Sequence, residues 1–336
     1  MMTNDDELAY RVDTDDLLAL RASGIRLKPP RARPARSALA GAHRSRFHGR
    51  GMDYRESRHY QAGDDIRNMD WRITARSGHP HVKVFDEERE RPIVVLVDFS
   101  SSMFFASQGV FKSVQAARLA ALIGWSAIAH GDRVGGLLFT DTSRAGHHQE
   151  LSPAGGRRGQ MRLIRALVES GSPDTVLRDG VSASTAAGAD GISAALLRLR
   201  RVARPGSLVF LLSDFYATDA DSERHLRQLA RHNDVHALQL IDPLELAPPP
   251  PGRYSISDGR RRAVVDTRVR GEQDRYAAHL DHHHRRVREL TETNGIGLTR
   301  CLTTDDPLDC LSGLMVGAVG GRLPNPGERP SKEVLW

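Results

Sequence analysis

The residues best placed for chemistry are Asp98, Ser100 and Ser102, spaced Asp-x-Ser-x-Ser directly behind the apolar run Ile93-Val94-Val95-Leu96-Val97. A carboxylate followed by hydroxyls two and four residues on can curl one loop around a hard cation. Such an ion takes oxygen ligands in an octahedron and keeps several waters. A second apolar run, Ser207 to Ser213, ends on another acid, Asp214. If both runs are strands of one parallel sheet, their carboxyl ends share the edge where open α/β sheets bind ligands. Two acids and two hydroxyls then converge on one divalent ion: Mg²⁺, Mn²⁺ or Ca²⁺. A second account needs no metal, with Asp98 and Ser100 capping the turn or helix that follows.

Both accounts need strands to present these residues. The unbroken run Ile93 to Val97 reads as a buried parallel strand. Val110 to Ala129 follows, with Val114, Ala117, Leu119, Ala121, Leu122 and Trp125 at helical spacing. Asp132 to Phe139, Ser207 to Ser213 and Val235 to Ile241 read as further strands, and Gln160 to Glu169, Ile192 to Val202 and Ser222 to Arg231 as helices. This alternation predicts an α/β fold: a mostly parallel sheet with helices on both faces. Beyond the prolines Pro248 to Pro251, Tyr254 to Ile256 and Ala263 to Asp266 flank Asp258-Gly259, a hairpin signal. A long charged helix from Gln273 to Thr293, a strand from Gly297 to Cys301 and a helix from Asp306 to Met315 complete the series. Ahead of the sheet, His81 to Phe85 alternates as a strand would, within an N-terminal β-containing segment.

The chain is long enough for two domains, or one with an appendage. Lys plus Arg number 48 against 42 Asp plus Glu, so the net charge of +6 permits an acidic partner without demanding one. From Arg21 to Met52 there are nine Lys or Arg and no Asp or Glu, with Pro29, Pro30 and Pro34 barring a continuous helix. This stretch reads as a solvated basic arm, and its single aromatic residue, Phe47, argues against base stacking on nucleic acid. No apolar stretch approaches the roughly 20 residues that span a bilayer. The acidic start MMTNDDELAY is no signal peptide, so no direct membrane insertion is expected. Two cysteines, Cys301 and Cys310, exclude a disulfide framework and suit a cytoplasmic protein. The expected divisions are a flexible arm over 1–40, a segment over 41–91 packing on the core, a main domain over 92–315 with a hairpin near 252–267, and a loose tail over 316–336.

Between Asp64 and Arg76, three acids (Asp64, Asp65, Asp70) face three bases (Arg67, Arg72, Arg76). The balance favours an internal ion-pair network, and a partner surface is the competing reading. His279 and His283 share a helix face, and with His282 and His284 they could hold a transition metal, but adjacent histidines on a helix point in different directions and a solvated helix is the favoured reading. There is no GxxxxGK[ST] loop, GxSxG elbow or HExxH pair, and no nucleophile with an adjacent base, so an enzyme is not expected.

Asp98-x-Ser100-x-Ser102 with the later Asp214 resembles the metal-ion-dependent adhesion site of von Willebrand factor A domains. The block Arg58-x-Tyr60-x-x-Gly63-Asp64-Asp65-x-Arg67-x-x-Asp70-Trp71-x-x-x-Ala75-Arg76 narrows the likeness, together with Ser213-Asp214-Phe215, Asp242-Pro243-Leu244-Glu245 and Asp306-Pro307-Leu308. From about residue 40 to 315 the chain is similar to the von Willebrand A-like proteins encoded beside MoxR-type AAA+ ATPases, domain-of-unknown-function family fifty-eight. The resemblance implies a von Willebrand A-like, Rossmann-like domain in which Asp98, Ser100 and Ser102 line the ion and Asp214 binds through water. A third loop normally supplies a Thr. Counting back from Ala195-Leu196, that position holds Asp190, with Thr185 as the fallback. The implied function is a non-enzymatic, metal-dependent protein-binding adaptor. Its partners would be a MoxR-type AAA+ ATPase, other von Willebrand A proteins and a client protein. A Mg²⁺-dependent hydrolase acting at Asp98, Asp190 and Asp214, and a nucleic-acid binder using the basic arm, are the alternatives.

Overall fold

Residues 8–30, 52–87, 90–140, 148–173, 191–257, 262–268 and 270–315 are described by the structure, a computed structural model. Its contacts divide the chain into two units: Ala35–Arg91, and Met1–Pro34 together with Pro92–Trp336. In chain order the first elements are α1 (Thr14–Ala19), α2 (Arg21–Gly24), β1 (Met52–His59), α3 (Trp71–Ser77), β2 (His81–Glu87), β3 (Pro92–Asp98), α4 (Lys112–Ala129), β4 (Arg133–Phe139), β5 (His148–Gly155) and α5 (Gly156–Ser170). Then come α6 (Gly191–Val202), β6 (Leu208–Ser213), α7 (Ala220–His232), β7 (Asp234–Ile241), β8 (Arg253–Ser257), β9 (Arg262–Asp266), α8 (Arg270–Thr293), β10 (Gly297–Leu302) and α9 (Pro307–Met315).

The larger unit is built on a six-stranded sheet of order β10-β7-β6-β3-β4-β5. All its pairings are parallel except β4 with β5. Strand β3 is buried at every position after Pro92, which places it mid-sheet, as its uninterrupted apolar run requires. Alternate residues serve opposite faces. Ile93, Val95 and Val97 join Leu119 and Leu122 of α4, Leu163 of α5 and Leu311 of α9 in one core. Val94 and Leu96 join Leu196 and Leu199 of α6, Leu226 of α7 and Val287 of α8 in the other. Each such leucine contributes roughly 1.5–3 kcal/mol by leaving water. From β3 the chain moves to β4 on one side, and from β6 to β7 on the other, so the β3–β6 boundary is where the winding reverses. The mixed α/β fold and its mostly parallel sheet are as the sequence predicts. The hairpin near 252–267 is present as antiparallel β8 and β9, with the Asp258-Gly259 turn outside the described residues.

The first residues depart from the expected arm over 1–40. Residues 8–30 are ordered against α4, while 31–51 lie outside the described residues. Helix α4 has only two charged residues, Lys112 and Arg118, and is apolar nearly all round, so it must be covered all round. The N-terminal segment supplies the cover. Leu17 is buried in the core, and Trp125 Nε1 donates to the Leu17 carbonyl at 3.0 Å. Ser126 Oγ donates to the Leu27 carbonyl at 2.8 Å, and Arg118 pairs with Asp16 at 2.8 Å. Gly24 lies so near that a Cβ there would meet Trp125 Cβ at 2.5 Å. The tail over 316–336 is outside the described residues.

In the smaller unit, β1 and β2 form an antiparallel ribbon running from Met52↔Glu87 to His59↔His81. Asp70 caps α3, its Oδ1 accepting from the N–H groups of Arg72 at 3.2 Å and Ile73 at 3.1 Å, while Oδ2 accepts from Ser57 Oγ at 2.8 Å. Those bonds hold its carboxyl below the usual range, the Ser57 hydroxyl foremost. The helix stops at Gly78, left-handed at φ 74. The expected ion-pair network of Arg67, Arg72 and Arg76 with Asp64, Asp65 and Asp70 does not form. Asp64 takes a two-pronged bond from Arg58 at 2.9 and 2.7 Å, and Asp65 accepts from the Arg67 backbone N–H at 3.0 Å.

Candidate metal-binding site

Strand β3 delivers Asp98 to the carboxyl edge of the sheet, 3% exposed. Its Oδ1 accepts from the Ser100 backbone N–H at 2.8 Å, and its Oδ2 from Ser213 Oγ at 2.6 Å. Ser100 opens a one-turn 3-10 helix, Ser101–Met103, yet its hydroxyl makes no cap bond. Instead it lies 3.3 Å from Ser102 Oγ. The capping account therefore holds for Asp98, which closes a turn, and fails for Ser100. Two neighbouring hydroxyl oxygens 3.3 Å apart approach the roughly 3 Å between adjacent ligands of an octahedron with metal–oxygen bonds of about 2.1 Å.

Asp214 follows β6, the strand beside β3, and is 2% exposed. The next residue, Phe215, has φ 62, the one non-glycine in the left-handed region among the described residues. Its N–H donates to Ser213 Oγ at 2.9 Å, tying the bend to the serine that also holds Asp98. Asp214 Oδ1 accepts from the Tyr216 N–H at 3.2 Å, and Oδ2 from the ammonium of Lys112 at 2.9 Å. Lys112, the first residue of α4 and 1% exposed, also donates to Glu245 Oε1 at 2.8 Å. Its Nζ stands 5.5 Å from the centre of the Tyr216 ring.

An outer layer comes from α8. His283 stacks on Tyr216, ring centres 3.9 Å apart and 7° from parallel, and its Nε2 donates to the Asp214 carbonyl at 2.9 Å. His284 Nε2 donates to the Glu245 carbonyl at 2.8 Å. Both partners can only accept, which places the proton on Nε2 in each ring. Burial foremost holds His283 below the usual histidine value. The expectation of a solvated histidine face is met by His279 and His282, which are exposed, and corrected for His283 and His284, which are buried. Asp242, fully buried, completes the frame. It accepts from Ser107 N and Oγ, each at 2.6 Å, and from Leu244 N at 2.9 Å, while its own N–H donates to Glu245 Oε2 at 2.9 Å.

Four buried carboxylates, Asp98, Asp214, Asp242 and Glu245, share this edge with one buried ammonium, Lys112. The imbalance shows at Asp98: burial first and the Asp214 charge second push its carboxyl up to about 7, against the hydrogen bonds from Ser100 and Ser213. Burial alone would lower Lys112, and the carboxylates of Asp214 and Glu245 more than offset it, leaving it above its usual value. A divalent cation beside Asp98 would relieve the excess negative charge, so Asp98, Ser100 and Ser102 suit such an ion in both donor chemistry and charge. Asp214 already spends its oxygens on Lys112 and Tyr216, which suits contact through water. Among the described residues no three His, Cys, Asp or Glu side chains converge as metal ligands, so any ion here depends on the hydroxyls.

Of the sequence candidates, Asp98, Ser100, Ser102 and Asp214 come to one edge, whereas Asp190 and Thr185 lie outside the described residues. Lys112, Ser213, Glu245 and Tyr216 are not among the sequence candidates for this site, and His283 enters the sequence reading only as a possible transition-metal residue on its helix. One signal was available: a lysine opening an apolar helix, which needs an acid to be buried at all.

The sequence profile of the family described as Protein of unknown function DUF58 matches residues 56–287. Similar proteins include Uncharacterized protein Rv1480 of Mycobacterium tuberculosis (strain ATCC 25618 / H37Rv) and Uncharacterized protein Mb1516 of Mycobacterium bovis. Each is 29% identical over 244 residues, covering 71% of this chain and 72% of theirs. Among solved structures, the conserved hypothetical protein BatB from Bacteroides thetaiotaomicron aligns with TM-score 0.38 and 15% identity, over 67% of this chain and 96% of that one. An aerotolerance-related membrane protein from Bacteroides fragilis aligns with TM-score 0.40 and 16% identity over the same shares.

Proposed function

The chain belongs to the DUF58 family, and we propose that it is a non-enzymatic adaptor that binds other proteins through a divalent cation, Mg²⁺ or another such as Mn²⁺ or Ca²⁺. One observation carries this reading: a buried strand-end carboxylate beside two hydroxyls, in a cluster with more acid than base. In this reading Asp98, Ser100 and Ser102 hold the ion and Asp214 steadies its water. The ion supplies an open position that accepts an acidic side chain of the partner. Lys112 limits the excess negative charge, which keeps the ion electrophilic toward that carboxylate.

The architecture is of the von Willebrand A type in this proposal, with the site at the β3–β6 boundary. The sequence resemblance supports a MoxR-type AAA+ ATPase as a working partner, in chaperone-like maturation or remodelling of protein complexes. The cytoplasm is the proposed place of action. Both cysteines are free and buried, which suits a reducing compartment. No helix among the described residues is long and apolar enough to cross a membrane.

The test is capture of a MoxR-type AAA+ ATPase from the same organism by the full chain, in Mg²⁺ and in EDTA, for wild type and Asp98→Ala. Capture that needs Mg²⁺ and is lost in the variant is expected. Capture indifferent to both would remove the metal from the partnership, and no capture in Mg²⁺ would end the adaptor reading.

A further inference from the structure

The two most exposed large apolar side chains among the described residues are Trp71, 67% exposed, and Ile66, 62% exposed. They are held alike. Asp65 caps the single turn that Ile66 opens, and Asp70 caps the helix that Trp71 opens. Each is followed by an arginine, Arg67 and Arg72. On α3, Trp71, Arg72, Ala75 and Arg76 are exposed, four positions that form one helical face at i, i+1, i+4 and i+5. Ile73 and Thr74 turn toward the ribbon, where Thr74 Oγ1 accepts from the His81 N–H at 3.0 Å.

Scattered exposed hydrophobes need no explanation. This pair differs because its surroundings are charged and unbalanced. The three nearby acids are engaged: Asp64 by Arg58, and Asp65 and Asp70 by backbone N–H groups. Arg67, Arg72 and Arg76 are all exposed, and none forms an ion pair with another of the described residues. Guanidinium forks match carboxylates two-pronged, and Trp and Arg are the residue types that dominate the energetic centres of protein interfaces.

We propose that the face made by Ile66, Arg67, Trp71, Arg72 and Arg76 docks an acidic segment of a partner protein, one that sets an apolar side chain between carboxylates. The apolar side chain would cover Trp71 and Ile66, and the carboxylates would take the three guanidiniums. Single-stranded nucleic acid fits less well. Successive bases need successive aromatic platforms, whereas this face offers one aromatic and one aliphatic side chain. The proposal does not depend on the cation at Asp98.

The test selects displayed random 12-residue peptides on the full chain, with counter-selection on Trp71→Ala. The survivors are then measured against wild type, Trp71→Ala, Arg72→Glu and Asp98→Ala. Peptides rich in Asp and Glu around an apolar residue are expected, weakened at least about tenfold by Trp71→Ala and by Arg72→Glu. The same peptides should bind Asp98→Ala, and wild type in EDTA, unchanged, which separates this surface from the metal site. Circular dichroism of each variant checks that it is folded. The proposal is overturned if no peptide survives, if survivors carry no acidic bias, if Arg72→Glu leaves their affinity unchanged, or if a labelled 12-nucleotide oligothymidylate is the ligand that requires Trp71.

Discussion

Lys112 shows how one residue sets the character of the site. An ammonium so deeply buried is tolerated because Asp214 and Glu245 each accept from it within 2.9 Å. Lys112→Met would strand both carboxylates, and a loss of about 3–5 kcal/mol is expected in urea denaturation. Added Mg²⁺ should restore part of that loss, because an ion that binds only the folded chain stabilises it. Asp98 gives the pH dependence. Its native carboxyl sits at about 7, above the ordinary value of 3.8. Between those values the folded chain holds a proton that the unfolded chain has released, so stability falls as pH rises and is lowest above 7. In EDTA, Asp98→Asn should therefore be more stable than wild type at pH 8, with the gap closing toward pH 5. Denaturation midpoints across pH measure it, and a gap that widens toward pH 5 would contradict the assigned burial of charge.

At the scale of elements, the sheet edge depends on backbone contacts as close as the side-chain ones. A Cβ on Gly135 of β4 would meet the Leu151 carbonyl oxygen at 2.5 Å and the Pro153 nitrogen at 2.7 Å, both backbone atoms of β5. The register of this pair shifts between Val134 and Gly136. Gly135→Ala is expected to cost about 1–3 kcal/mol in the same denaturation experiment. Strand β5 was also the sheet strand hardest to see in the sequence. It is polar in part and contains Pro153, which an antiparallel edge tolerates. The buried strands β3 and β6 were legible because burial on both faces leaves an unbroken apolar run, and the acids behind them marked the site. The docking of α1 and α2 on α4 was hidden by the basic, Pro-rich stretch that follows them. Lys112, Glu245 and His283 come from elements far apart in sequence, so only the topology brings them to Asp214.

Across the whole molecule, two kinds of surface are on offer: a charged, hydroxyl-lined edge on the larger unit and an arginine-and-tryptophan face on the smaller. If the second serves binding rather than folding, Trp71→Ala should shift unfolding by no more than about 0.5 kcal/mol. A large destabilisation by thermal melting would instead make Trp71 part of the structural core. The claim on which the proposed function rests is that a divalent ion binds at Asp98. Mn²⁺ titrated into the full chain, followed by loss of the free-ion electron paramagnetic resonance signal, tests it most directly in wild type and Asp98→Asn. The expected result is saturable uptake of one ion per chain that Mg²⁺ displaces, weakened more than about tenfold in the variant. Uptake that is equal in both proteins, or absent from wild type, would contradict it.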